Sequence, residues 1–140
     1  RIEKDLGDRG LSGLFNNAGV FSPPGYNMGT RGTSFEVLPT SFWDGVFAVN
    51  VRGLVEVTQA MLPALKKAKG RILMCSSIAA IFPIPFAAPY CASKAAVEGL
   101  SDSLRRELRP TGVDVSILEF GPVQSEIFTK TRGALALDSP

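Results

Sequence analysis

"RILMCSS", residues 71–77, is a short apolar run that ends in two small polar residues. Continuous apolar character over so few residues, without alternation, is the mark of a strand buried on both faces of a parallel sheet. The same form appears upstream in "LSGLFNN" (11–17) and downstream in "VDVSILEFG" (113–121). Helical periods fill the gaps between the three runs. From about Ser41 to Lys67, Phe42, Val46, Val49, Gly53 and Val57 recur at helical intervals, and Ser41 stands three residues before Asp44 as in a capping box. Pro63 is expected to kink or end this helix. A second helix reads from Pro89, suited to a first turn, through "YCASKAAVEGLSDSLRREL" to Arg109, where Pro110 and Gly112 stop it. The order strand, helix, strand, helix, strand predicts an α/β fold, half of a doubly wound parallel sheet with helices on its faces.

Composition narrows the chemistry. The 140 residues suit one domain with a real core, and 45% hydrophobic with 20% charged residues is ordinary for a globular protein. Fifteen Lys and Arg against thirteen Asp and Glu give a net charge of +2, scattered along the chain, so nucleic acid is not an implied partner. The chain has no histidine and only two cysteines, Cys75 and Cys91, without metal-ligand spacing. A zinc site, a disulfide framework and a histidine-based triad are therefore excluded. The longest apolar run, "IAAIFPIPFAAPY" (78–90), is broken by three prolines and is too short for a membrane span, which reads as a cytoplasmic protein. "RIEKDLGDRG" (1–10) resembles the end of an amphipathic helix running into a glycine stop, as expected of a fragment of a longer chain.

In open α/β sheets, ligands bind beyond the carboxyl ends of the strands. Here those ends carry "NNAG" (16–19), Ser76 and Ser77, and "GPVQS" (121–125). Each has a plain structural reading, Gly19 and Gly121 as turn residues and Asn16 or Asn17 as a turn cap. Adjacent strand residues point to opposite faces, so only one of Ser76 and Ser77 should face the crevice. Tyr90 and Lys94 lie one helical turn apart in "YCASK", which brings an ammonium near a phenol. A nearby cation favours phenolate, and without histidine a phenol is a usable acid or base only if its pKa falls from about 10 toward neutrality.

In order and spacing, "NNAG", Asn50 within a long helix, Ser77, Tyr90 thirteen residues later, Lys94 and "GPV" (121–123) resemble the short-chain dehydrogenase/reductase family. The resemblance runs from about Leu11 to Phe128, and "PYCASKAAVEGLSDSL" and "SILEFGPV" look most like its hydroxysteroid and retinol dehydrogenase branches. It implies a Rossmann-like α/β/α domain of which residues 1–140 are the C-terminal part, and an oxidoreductase moving a hydride between NAD or NADP and a secondary alcohol or ketone. The apolar 78–90 segment suits a substrate such as a steroid or retinoid.

By the same resemblance Ser77 holds the substrate oxygen, Tyr90 transfers its proton, and Lys94 lowers the phenol pKa and binds the cofactor ribose. A cationic nicotinamide assists that shift in the oxidative direction. Asn50 holds a water that relays protons to Lys94. Asn17, Ala18 and Gly19 line the adenosine side of the cofactor pocket, and Gly121, Pro122, Val123 and Ser125 cover its nicotinamide end. Ala92 and Ser93 leave room for the ribose to approach the helix. Small-molecule alcohols or carbonyl compounds are the implied partners, with a homodimer or homotetramer formed through the two long helices.

Three departures stand out. Phe120 occupies a place where many members have proline, and "FSPPGYNMGTRGTSFEVLPTS" (21–41) is longer than this connection usually is. The family's glycine-rich phosphate loop, of the form G-x-x-x-G-x-G, occurs nowhere in the chain. The residues that choose NAD or NADP also normally lie upstream of this segment, so the choice is unreadable, and the missing loop keeps a second reading alive, that of a non-catalytic or inactive truncated Rossmann-fold binding or regulatory protein.

Overall fold

A computed structural model describes residues 7–23 and 34–121. Three parallel strands form one sheet in the order β1 (Gly13–Asn16), β2 (Arg71–Ser77) and β3 (Asp114–Phe120). Registers pair Leu14 with Ile72 and Ile72 with Val115, so the three strands start level and their carboxyl ends lie along one edge. Helix α1 (Thr40–Phe47), a π-helical turn (Ala48–Gly53) and α2 (Leu54–Ala68) connect β1 to β2, and α3 (Ala88–Leu108) connects β2 to β3.

The core lies between the helices and one face of the sheet. Ile72, Met74 and Val115 from the strands meet Leu54 and Leu65 of α2 and Val97 and Leu108 of α3, and all seven are buried. The period of two sends Phe15, Leu118 and Phe120 to the opposite face, where they remain 51%, 37% and 41% exposed. Among the described residues the helices therefore cover one face of the sheet, two of the three layers expected.

Two local expectations need adjusting. Of the two outcomes expected at Pro63, a kink or an end, the end does not occur, and the helix runs on to Ala68, one residue beyond the expected Lys67. Proline removes the bond to the carbonyl four residues earlier, here that of Gln59; both residues are exposed, so water can serve the freed carbonyl. Nor does Ser41 cap the helix. It lies inside α1, whose N-cap is Pro39, with the Phe42 amide bonded to the Pro39 carbonyl at 3.0 Å.

Between α2 and β2 the chain turns through Lys69, left-handed at φ 48°, into Gly70. A Cβ on Gly70 would stand 2.4 Å from the Leu11 carbonyl oxygen, so only glycine lets β2 begin this close to the segment that enters β1. The turn thus sets the register that brings Ser77 level with the end of β3.

Candidate active site

Ser77 closes β2 in an extended conformation, and its Oγ accepts a hydrogen bond from the Ala79 amide at 3.2 Å, capping the short turn Ile78–Ala80. The same hydroxyl lies 3.4 Å from the Phe120 carbonyl and near enough to the Tyr90 phenol to favour its ionised form. Ser76 points the other way, its Oγ 3.5 Å from the Lys94 carbonyl behind the crevice. The strand alternation read from the sequence separates the two serines.

Tyr90 sits in the first turn of α3, its ring 5.1 Å from that of Phe21 and packed against Ala79, Ala87 and Cys91. Lys94 follows one turn later and is only 4% exposed. Its Nζ donates to the Cys75 carbonyl at 2.9 Å and lies 5.8 Å from the centre of the Tyr90 ring. Phenol and ammonium do share one face, but the direction of the phenol shift differs from expectation. Burial pushes the Tyr90 phenol above its ordinary value, with the Ser77 hydroxyl acting against it, and burial also pulls the Lys94 ammonium down. At 5.8 Å, with its ammonium committed to a carbonyl, Lys94 does not overcome the desolvation of the phenol.

Asn50 is 1% exposed, not a surface polar residue, and every polar atom of its amide is used. Oδ1 accepts from the Val20 amide at 2.8 Å, while Nδ2 donates to the Val20 carbonyl and to Ser93 Oγ, both at 2.9 Å. The helix widens to π geometry over Ala48–Gly53 around it, a device common at functional sites. Asn50 thereby clamps the loop that leaves β1 against the start of α3.

Beside that clamp, Asn17, Ala18 and Gly19 are exposed at the end of β1. A Cβ on Gly19 would lie 3.3 Å from Lys94 Nζ and 3.6 Å from Asn50 Oδ1. The glycine is what leaves the ammonium reachable from the crevice. Asn16 is not part of the opening. It is buried, and its Nδ2 donates to Thr58 Oγ1 at 2.8 Å, fixing β1 to α2. Gly121 is exposed at the end of β3, whereas Pro122, Val123 and Ser125 lie outside the described residues.

Sequence reasoning took Ser93 for a small spacer beside a ribose, but the structure buries it completely between Asn50 and the Tyr90 carbonyl. Val20 and Phe21 were also missed. Their contributions, a backbone amide pair and a ring contact, carry no signature of residue type. No helix among the described residues is long and apolar enough to cross a membrane.

Residues 1–135 match the family model described as short chain dehydrogenase. The chain belongs to this family. It is 42% identical over 120 residues to retinol dehydrogenase 16 of Mus musculus, covering 86% of this chain and 35% of that protein. It is 42% identical over 131 residues to 17-beta-hydroxysteroid dehydrogenase type 6 of Homo sapiens, covering 94% and 38%. The chain thus spans well under half the length of these curated relatives. Among solved structures it resembles a Brucella melitensis 3-ketoacyl-(acyl-carrier-protein) reductase complexed with NADH, with a TM-score of 0.75 at 27% identity over 86% of this chain and 49% of that one. A closed form of serine dehydrogenase complexed with NADP+ gives 0.68 at 29% identity, over 80% and 42%. The doubly wound family fold is that of this short chain dehydrogenase segment.

Proposed function

We propose that this segment supplies the proton-transfer side of an NAD- or NADP-dependent oxidoreductase that interconverts an alcohol and its carbonyl product on an apolar substrate. The observation that carries the reading is the convergence of Ser77, Tyr90 and Lys94 at the strand ends, each buried to a different depth and brought close to one another.

The residues fit a nicotinamide cofactor. Gly19 keeps side-chain bulk away from Lys94 Nζ, and the ammonium has three donors of which the Cys75 carbonyl takes one. Lys94, with the backbone of Asn17, Ala18 and Gly19, would hold the ribose side, and Gly121, Pro122, Val123 and Ser125 the nicotinamide side. When bound, the cofactor takes up or releases the hydride.

The chain's own residues handle the oxygen. In oxidation the carbinol carbon gives up its hydride while the hydroxyl proton passes to the Tyr90 oxygen as phenolate, leaving a C=O bond; reduction runs the same transfers backwards. Ser77 Oγ, beside the phenol, orients the substrate oxygen and stabilises charge that develops on it. Lys94 favours the phenolate while Tyr90 is without its proton. Asn50 holds the loop and helix in register, its side-chain amide spent on Val20 and Ser93. Pairing into a homodimer or homotetramer through the long helices belongs to the same reading.

An apolar substrate is supported by the ledge that begins at Ser77. Ile78, Ile81, Phe82, Ile84 and Phe86 are all between 39% and 68% exposed, and Phe86 holds a left-handed φ of 62°, rare for a bulky residue. Burying each substrate CH₂ against such a surface is worth about 0.8 kcal/mol. In the full-length protein a steroid or retinoid alcohol should therefore exceed a polyol in kcat/KM by about 100-fold or more, the equivalent of a few methylenes. Equal or better turnover of the polyol refutes the apolar assignment.

A further inference from the structure

We propose that Ser93 is a positioning residue that sets the orientation of Tyr90 by tying its carbonyl to Asn50 and so to the loop leaving β1. The inference rests on the assignment of Tyr90 as the proton-transfer group.

Ser93 is 0% exposed, and its Oγ donates to the Tyr90 carbonyl at 2.7 Å while accepting from Asn50 Nδ2 at 2.9 Å. A hydroxyl has one proton, so with that proton on Tyr90 O only its lone pairs remain for Asn50, and the direction of the bridge is fixed. Asn50 in turn spends its other donor and its acceptor on the two backbone polar groups of Val20. One fully satisfied chain thus runs from Val20 through Asn50 and Ser93 to the peptide that follows Tyr90.

The next loop residue, Phe21, closes the circuit by placing its ring 5.1 Å from that of Tyr90. Tyr90 is consequently held at two points, its ring by Phe21 and its backbone by Ser93. Both holds originate in the same two-residue stretch of loop, which lies directly after the exposed Asn17–Gly19 edge. Movement of that edge is transmitted to the phenol through bonds that a small side chain at position 93 alone completes.

The helix provides its own control. Ser101 is likewise 0% exposed and bonds back to the Val97 carbonyl at 2.6 Å, but it reaches none of the site residues. Ser93→Ala and Ser101→Ala remove comparable helix back-bonds; Ser93→Ala also leaves the buried Asn50 amide short of an acceptor, so a purely structural role predicts a larger loss of stability there but an unchanged kcat per folded active site. Positioning predicts otherwise. A displacement of about 1 Å at a reacting group can cost about 10²-fold.

In the full-length protein, Ser93→Ala should lower kcat by about 10–100-fold with KM for alcohol and cofactor changed no more than about twofold, and should move the alkaline limb of the pH profile. Ser101→Ala should leave all three close to the parent. Parental kcat in Ser93→Ala, or a loss matched by Ser101→Ala, overturns the proposal. If Ser93→Ala does not fold, Ser93→Thr and Ser93→Val settle the matter, because they add the same bulk and differ only in the hydroxyl. A Thr variant about tenfold or more faster than the Val variant supports positioning, and equal rates overturn it. Tyr90→Phe is measured alongside: retained turnover there refutes the active-site assignment itself, whereas lost turnover with an unaltered Ser93→Ala refutes only the role of Ser93.

Discussion

Tyr90→Phe in the full-length protein should lower kcat by about 10²–10⁴-fold, the usual contribution of a positioned acid or base. The substitution keeps the ring that packs on Phe21 and removes only the oxygen beside Ser77. Cofactor affinity should stay within about threefold of the parent, because Lys94 and the Asn17–Gly19 edge are untouched, and a change smaller than tenfold in Kd is under 1.4 kcal/mol. Steady-state rates and a binding titration check both halves of the statement. Turnover that survives the loss of the phenol would remove Tyr90 from the chemistry.

The pH dependence of the parent follows from the same group. Burial holds the phenol above its ordinary value, so at neutral pH it is mostly protonated and ready as an acid. Reduction should therefore be nearly flat through neutral pH and fall only in the alkaline range. Oxidation needs phenolate, so its kcat/KM should climb with pH, approaching tenfold per unit, until the phenol ionises. Binding of a cationic nicotinamide would pull that transition downward, which sharpens the contrast between kcat and kcat/KM profiles.

The second large effect belongs to Lys94. Lys94→Met keeps the apolar stem and volume of the side chain but removes the ammonium that bonds the Cys75 carbonyl, a bond to a charged group worth about 1.5–3 kcal/mol. Both cofactor binding and turnover should suffer. A bond from the same ammonium to the cofactor ribose would lie in that energy range, so we expect Kd for NADH or NADPH to rise by about 10–150-fold, together with a loss of kcat as the phenolate loses its neighbouring charge. An unchanged Kd would separate Lys94 from the cofactor. The contrast with Tyr90→Phe, which spares binding, distinguishes the two roles.

The alternation of strands and helices was legible because each strand here is a short apolar run and each helix a clear 3.6-residue period. Ser77, Tyr90 and Lys94 were legible because their chemistry depends on residue type at fixed spacing. Asn50 stood out for a different reason: asparagine is poorly suited to the interior of a helix, and its clamp on Val20 and Ser93 explains why it is there. The π-helical turn around it was not legible. Its width is set by partners 30 and 43 residues away, and no local propensity reports such bonds.

Ser93 was misread for the same reason. Between Tyr90 and Lys94 a small residue looks like clearance, and only the fold reveals that its hydroxyl is enclosed on both sides. The raised phenol is the third case. Tyr and Lys at i and i+4 promise a charge effect, but its sign depends on how deeply the phenol is buried and on whether the ammonium is already engaged by a carbonyl. Pro63 shows the converse, a helix breaker that does not end its helix, at an exposed position where water can serve the freed Gln59 carbonyl.

Hydride transfer itself is most directly tested by isotope tracing. The full-length protein would be given an apolar alcohol deuterated at the carbinol carbon, with NAD⁺ and NADP⁺ in separate reactions in ordinary water. One of the two should be reduced, and the reduced nicotinamide should carry the carbinol deuterium. Reduced cofactor bearing hydrogen from water, or no reduction of either cofactor, would contradict hydride transfer.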